Sequence, residues 1–529
     1  MPTSIDLQQK SLHEVLNASV ERYAQHTAIN FLGQTTSFAS FGEQSDQVAA
    51  GLAEQGIEQG DRVALYCINS DLFAVAYMGI VKAGAVVVAI NLLLTPGEIE
   101  YILNDSGAKA LIYHEVFAKN VSAFRQTTPA LQCYIYVGEH PSEAADRKFN
   151  TLLSCAKTPP VLTYDTAQNV VSIIYTSGTT GRPKGVMLTH RNLVSNTASV
   201  QTALTIRPGE DVMLVVLPMF HSFASTVGML TPLLYGCTLL PVPKFDIDLV
   251  MNTIAMGKAS IFLGVPSMYN MLLSSTDEQV DKFSSIRFCV SGGAAMPQAI
   301  MDKFEARFGK MIYEGDGPSE CSPVTCVNPI GGLRKPASVG LPIADVEMQI
   351  MDQDGNVVAD NEIGEICVRG PNVMKGYWNR LTETEQVFFG KWLRTGDLGH
   401  KDDEGYFYID DRLKDMIIVN GMNVYPKAVE DVLYQFTPVH EAAVVGEPDE
   451  QRGEIPVAYV VLKPSESCTL EEIVDFCKPR LGRHQLPRKA VFMEQLPKNG
   501  TGKILKRELR KQGELERGID SRESDSAPV

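Results

Sequence analysis

Apolar positions in the first half of the chain alternate between a helical period and short apolar runs. Over Phe41 to Gln55 they fall at helical spacing, with Val48 and Leu52 on one face and Gly56 and Gly60 beyond the end. Arg62 to Cys67 is short and apolar, which predicts a strand. A second helix is predicted over Asp71 to Lys82, followed by Gly84 and the apolar run Ala85 to Ile90. Thr95-Pro96-Gly97-Glu98 has capping-box spacing with proline at the first helical position, so a helix should run on to Leu103. Tyr113 closes the next short strand. Such strand–helix alternation predicts an α/β fold, a parallel sheet covered by helices. No internal repeat at a fixed period is visible.

The pattern changes near residue 400. Long apolar strands give way to K-D-D-E-G, then D-D-R-L-K-D, then a compact α/β segment ending near residue 512. At 529 residues the chain is too long for one compact core. The expected division is a large N-terminal domain over 1–411, a hinge at 412–414, a small C-terminal domain over 415–512 and a disordered tail over 513–529. The tail is polar and charged, with little to bury.

Composition narrows the classes. A formal charge of −16 argues against nucleic-acid binding, which needs a net basic face. A locally basic pocket for an anionic ligand remains compatible with it. The ten cysteines are scattered, with no C-x-x-C pair, so neither a disulfide framework nor a cysteine metal site is expected. Reduced thiols, a first ten residues without a signal pattern and the absence of a long apolar run predict a cytoplasmic protein with no transmembrane helix. A monomer or a homodimer fits this reading equally.

The densest chemistry lies in Y-T-S-G-T-T-G-R-P-K-G, residues 175–185, after the apolar run Val170 to Ile174. Backbone N–H groups, hydroxyls and one lysine there suit a polyanion, and glycine admits a phosphate chain without a Cβ in the way. The loop is not a Walker A motif, because Lys184 is followed by Gly185 rather than Ser or Thr. A plain surface turn is the rival reading, and the density of donors favours phosphate.

Three further segments need the same explanation. They are S-G-G-A-A-M-P (291–297) with E-G-D-G-P-S-E (314–320), R-T-G-D-L-G (394–399) followed by Asp410 to Asp415, and L-P-K-N-G-T-G-K (496–503). Together with the loop, in this order and spacing, they resemble the adenylate-forming superfamily of acyl-CoA synthetases, adenylation domains and luciferases. The resemblance covers nearly the whole chain and lies closest to bacterial fatty-acyl-CoA ligases. It implies a large N-terminal domain of packed α/β subdomains with a distorted β-barrel, and a small mobile α+β C-terminal domain.

The resemblance also implies roles. Thr176, Ser177, Gly178, Thr179, Thr180 and Lys184 would hold the ATP phosphates, and Glu320 would help hold Mg²⁺. Gly293, Ala294, Glu314, Gly315 and Asp316 would meet the nucleotide, with Ser319 beside the α-phosphate. Asp397 would accept hydrogen bonds from the ribose, with Arg412 nearby. Lys503 would bridge carboxylate and phosphate as the acyl-adenylate forms, a point charge without fixed geometry. Each has a plainer rival: a turn cap for Asp397, a solvated charge for Glu320 and for Lys503, a surface lysine for Lys414.

An acyl-adenylate is a mixed anhydride that a thiol attacks directly, so no Ser-His-Asp or Cys-His arrangement is required, and none is evident. Family members rotate the C-terminal domain between the two steps. That implies Lys414 at the hinge, Asn420 and Gly421 near the pantetheine tunnel, and Lys244 touching CoA. The cluster Lys478, Arg480, Arg483, Arg488 and Lys489 would meet CoA phosphates or form a solvated face.

Leu217 to Phe223 resembles the family's acyl-pocket gate and makes His221 a catalytic candidate. Amino-acid-activating relatives carry an aspartate here, but no acid lies between Asp211 and Asp246, and an unpaired ammonium in an apolar pocket is costly. The apolar stretches at 224–236 and 262–273 are expected to line an acyl channel or to be ordinary core. A medium- or long-chain fatty acid is favoured, with an aryl acid such as a cinnamate or another acyl acceptor kept open. Only a short segment separates Gly340 from Gly364, without the insertion of ligases that stop at the adenylate, which favours transfer to CoA. A peripheral membrane contact stays open, although no basic amphipathic helix supports one. Two departures stand out. Asp316 occupies the place of an aromatic residue that stacks on adenine, and Ile418 replaces a lysine that several relatives use in the thioester step.

Overall fold

Local signals set most element boundaries in the first 115 residues. The computed structural model describes residues 9–176, 182–449, 451–498 and 504–524, with side chains described only up to 515 in the last stretch. Helix Asp71–Lys82 forms over the expected residues, with Ser70 accepting the Phe73 N–H at 3.2 Å. Helix Pro96–Ser106 carries both halves of its capping box, Thr95 Oγ1 accepting from Glu98 N–H and Glu98 accepting from Thr95 N–H. It ends on Gly107 at φ 61°, a left-handed position that glycine takes without strain. The helix expected from Phe41 starts earlier, at Phe38, because the Phe38 ring is itself fully buried beside the Ser37 cap.

Two large sheets follow. The eight-stranded one runs, in spatial order, Gly376–Tyr377, Lys184–Thr189, Val170–Thr176, Val86–Ala89, Arg62–Tyr66, Ala110–His114, Cys133–Val137 and Arg147–Lys148. Its centre is parallel, as the alternation predicts, and buries Tyr66, Tyr113, Leu111 and Phe124 against the covering helices. Val170–Thr176 and Lys184–Thr189 are an antiparallel pair at one side. The nine-stranded sheet is built around the parallel strands Thr238–Pro241, Val212–Val215, Ile261–Gly264, Phe288–Ser291 and Ile312–Asp316. In parallel sheets of this kind the C-terminal strand ends are where loops collect ligand groups.

The chain divides into two compact units. The larger holds residues 1–296, 303–348 and 367–394, and the smaller 297–302, 349–366 and 395–529. This division falls earlier than the expected boundary at 411. Residues 397–401 pair antiparallel with Phe407–Arg412, so a break at 411 would separate Arg412 from its partner Asp397. The expected hinge residues form a closed turn, in which the Asp415 and Met416 N–H groups donate to Arg412 O. Strands Glu347–Met351, Gly364–Arg369, Trp392–Lys401, Phe388–Phe389 and Phe407–Arg412 form a five-stranded sheet in the region read as a distorted barrel.

The smaller unit has its own five-stranded sheet, centred on Gly453–Leu462 with Val439–Asp449 along one edge. One face packs on helices Pro426–Leu433 and Leu470–Cys477, and the other buries Tyr459, Leu496 and Leu509. The disordered tail expected from 513 is corrected in part. Helix Lys506–Ser524 runs through it, and 525–529 lie outside the described residues. Leu509 is fully buried, Lys506 and Arg510 pair with Glu430 and Asp415 at 2.8 and 2.7 Å, and Gly513 is buried beside Glu447. These anchors nucleate a helix that polar composition alone would not sustain. Among the described residues no helix is long and apolar enough to cross a membrane.

Candidate active site

The loop at 175–185 closes a β-hairpin, with Thr176 opposite Lys184 on its two stems. Ser177, Gly178, Thr179 and Thr180 lie outside the described residues, as does Lys503. The stems are held from outside the hairpin. Asp105, near the end of helix Pro96–Ser106, accepts from Tyr175 Oη at 2.7 Å, from Arg380 Nη2 at 2.9 Å and, through its backbone carbonyl, from Trp378 Nε1 at 3.1 Å. A carboxylate at a helix C-terminus opposes the helix dipole, and the Arg380 guanidinium offsets it. Burial, then the Asp105 charge, pushes the Tyr175 phenol well above its usual value, so it remains the donor. On the other stem the Trp378 N–H donates to Gly185 O at 2.7 Å. A Cβ on Gly185 would come within 2.8 Å of Ile173 Cγ2, which is why glycine stands there. No local pattern marks Asp105, Trp378 or Arg380, because their partners are remote in sequence.

Glu320 sits in the single turn Ser319–Cys321. Its carboxylate accepts from Tyr377 Oη at 2.9 Å, and its backbone carbonyl accepts from Met374 N–H at 2.7 Å. The Lys184 ammonium lies 5.2 Å from the centroid of the Tyr377 ring, so the structure brings Lys184 and Glu320 to one aromatic side chain. Ser319 Oγ is 3.1 Å from Ser222 Oγ. Among the described residues no three His, Cys, Asp or Glu side chains gather as a metal cage. A single hard carboxylate instead fits a cation whose other ligands are phosphates and water.

Glu314, Gly315 and Asp316 end strand Ile312–Asp316, and Gly293 and Ala294 follow strand Phe288–Ser291. Glu314 is buried and accepts from Met296 N–H at 3.1 Å. Asp316 is fixed by its carbonyl, which accepts from both Thr325 N–H and Thr325 Oγ1. At Gly317 a Cβ would lie 1.7 Å from Pro323 O, so only glycine allows the turn. Gly293, at φ 77°, is exposed together with Ala294.

Between these strand ends lies a cavity of about 50 Å³, lined by His221, Gly293, Gly315 and Asp316 on one side and by Val200, Leu204, Val227 and Val324 elsewhere. That volume exceeds what one water needs and is walled mainly by hydrocarbon. Phe223, also in its wall, opens the eight-residue π-helix Phe223–Leu230, a rare conformation often found at functional sites. Of the two expectations for 262–273, acyl lining or core, the structure supports core. Phe262, Tyr269 and Leu272 are fully buried, with Phe262 and Tyr269 in an aromatic cluster with Phe283 and Phe304, so that stretch is core. Helix His190–Ala203 and Leu204 supply the wall that sequence reading missed, since its apolar residues look like any core face.

In the smaller unit, Asp397 is buried and paired with Arg412 Nε at 2.8 Å, directly across the strand pair. Lys414 is exposed. Asn420 and Gly421, at φ 52° and 75°, form the two-residue turn between Ile417–Val419 and Met422–Val424, the geometry of a primed hairpin. Lys478 and Lys489 pair with Asp475 and Glu447, and Arg480 lies over Phe476. Lys244, in the larger unit, is exposed ahead of helix Ile247–Gly257.

Comparison with known proteins completes the picture. The AMP-binding enzyme family matches residues 16–378, and the AMP-binding enzyme C-terminal domain matches 428–503. The long-chain-fatty-acid–CoA ligase of Bacillus subtilis is 36% identical over 537 residues, covering 96% of each chain. The crystal structure of the anthranilate CoA ligase AuaEII in complex with anthranoyl-AMP superposes with a TM-score of 0.90 at 29% identity, covering 98% of this chain and 100% of that one. A Mycobacterium tuberculosis fatty acyl CoA synthetase gives 0.75 at 33% identity, covering 95% and 98%.

Proposed function

The chain belongs to the AMP-binding enzyme family, and on that premise we propose that it joins a fatty acid to CoA at the expense of ATP. A carboxylate attacks the α-phosphorus of ATP, giving acyl-AMP and pyrophosphate. The CoA thiol then attacks the acyl carbon, giving acyl-CoA and AMP. The observation that carries the fatty-acid reading is the near full-length similarity to a long-chain-fatty-acid–CoA ligase. The hydrocarbon-walled cavity beside Gly293, Gly315 and Asp316 supports it.

In this reading Thr176, Ser177, Gly178, Thr179, Thr180 and Lys184 hold the β- and γ-phosphates, and Ser319 meets the α-phosphate. Adenine lies against Gly293, Ala294, Glu314, Gly315 and Asp316. Asp397, held by Arg412, offers a fixed acceptor to the ribose hydroxyls. Glu320 would help hold Mg²⁺, which would supply neutralisation of the charge that repels the attacking carboxylate. Lys503 supplies a positive charge to the same encounter, and aligned reactants lower the barrier by removing orientational freedom. His221 faces the carboxyl end of the acyl group. For thioester formation Lys414 serves as hinge, with Asn420, Gly421 and Lys244 on the CoA side. A monomer or homodimer in the cytoplasm completes the proposal.

Carboxylate-dependent exchange of pyrophosphate into ATP tests the first step. No exchange with any fatty acid or aryl acid would sink the reading. Adding CoA and acids of graded length should give a thioester maximum at a medium or long chain. A maximum at an aryl acid would instead favour the chemistry of the anthranilate ligase relative.

A further inference from the structure

Tyr377 stands between two side chains of opposite charge that are far apart in the chain. It lies in the short strand Gly376–Tyr377, directly across from Val186 on strand Lys184–Thr189. Lys184 and Val186 share a face of that strand, so Lys184 is the diagonal neighbour of Tyr377, within reach of a long side chain. The ring meets the Lys184 ammonium at 5.2 Å, and the hydroxyl reaches Glu320 at 2.9 Å. We infer that Tyr377 is a positioning residue for metal-bound ATP, its hydroxyl orienting the Glu320 carboxylate and its ring face orienting the Lys184 ammonium. This rests on the reading of Glu320 and Lys184 given above.

The chemistry of the tyrosine suits both tasks. A phenol O–H aims a carboxylate without cancelling its charge, as a lysine or arginine partner would, and so leaves it attractive to a cation. The ring face attracts the ammonium electrostatically and consumes none of its three N–H donors, which stay available for phosphate oxygens. The backbone of Tyr377 is itself pinned, its N–H donating to Thr384 Oγ1 at 2.9 Å. Gly376, at φ 144°, admits Thr384 where a Cβ would come within 2.7 Å of its methyl.

Calorimetric titration with ATP, with Mg²⁺ present and with the metal chelated, tests the inference on the full chain. Tyr377→Phe keeps the ring and should weaken ATP binding in Mg²⁺ about tenfold, the loss typical of removing a partner that orients a metal ligand. Binding without the metal should change less than about twofold, because the Lys184 contact survives. Tyr377→Leu should weaken ATP binding in both conditions. Equal loss with and without Mg²⁺ in Tyr377→Phe, or none, would overturn the inference, and the isosteric change keeps it testable even if the leucine variant fails to fold. Wild-type protein that binds no ATP in either condition would instead overturn the nucleotide reading beneath it.

Discussion

The base of the 175–185 hairpin and the cavity beside Asp316 lie in the same unit and are built on different physics. At the hairpin base, Asp105 gathers three donors from two other stretches of chain, its carboxylate taking the Tyr175 phenol and the Arg380 guanidinium and its backbone carbonyl the Trp378 indole. The contacts are directional, so they define positions to a few tenths of an ångström and fail abruptly when one partner is removed. The cavity walls are mostly apolar, with valine, leucine, alanine and phenylalanine side chains whose attraction is non-directional. Such walls select by volume, and their selectivity changes by degrees. The hairpin base is thereby rigid and unforgiving, whereas the cavity is tunable; on the proposed reading these are the phosphate and acyl ends of the site.

Substitutions can break or sharpen that contrast. The largest effect is expected from Asp105→Ala, which leaves the Tyr175 hydroxyl and the Arg380 guanidinium without their shared acceptor. A loss of about 2–4 kcal/mol is expected, visible as an earlier thermal transition and a raised KM for ATP. A variant as stable as the parent would mean that directional contacts do not hold the hairpin base.

Next, Ala203→Phe should fill the cavity from the end of helix His190–Ala203. For the longest acid accepted, kcat/KM should drop about tenfold or more, with shorter acids spared. A uniform loss across all chain lengths would show that this wall does not measure the acyl chain. Asp316→Tyr should alter the KM for ATP about two- to tenfold, the value of one aromatic contact, with kcat changing less. An unchanged KM would show that the side chain at 316 does not meet the base. Smallest is Tyr175→Phe, which leaves the Arg380–Asp105 pair intact and should cost about 1 kcal/mol in a thermal melt. A cost as large as that of Asp105→Ala would shift the weight of the network onto Tyr175.

Much of this organisation was legible along the chain. The capping box at Thr95, the helix over Asp71–Lys82 and the donor-rich loop each depend on residues a few positions apart. The Asp397–Arg412 pair was legible as two motifs in sequence, and the hairpin between them makes the contact. The tail was misread because the anchors of helix Lys506–Ser524 are Glu430, Asp415 and Tyr459, all well removed from it. The cavity wall was half missed for a related reason. A valine lining a cavity and a valine in the core have the same spacing and the same hydrophobicity, and only the neighbouring backbone shows which is which.

By itself the sequence determined the alternating α/β architecture, the glycine- and hydroxyl-rich loop and the family whose chemistry requires it, since these rest on local periodicity and on motifs in a fixed order. Tertiary structure alone decided what holds that loop and what faces it. Tyr377 reaches Glu320 across 57 residues, Tyr175 meets Asp105 across 70, and Arg380 meets Asp105 across 275. Contacts at such separations leave no periodic trace in the chain, because each is made by the register of strands and the packing of helices rather than by neighbours in sequence.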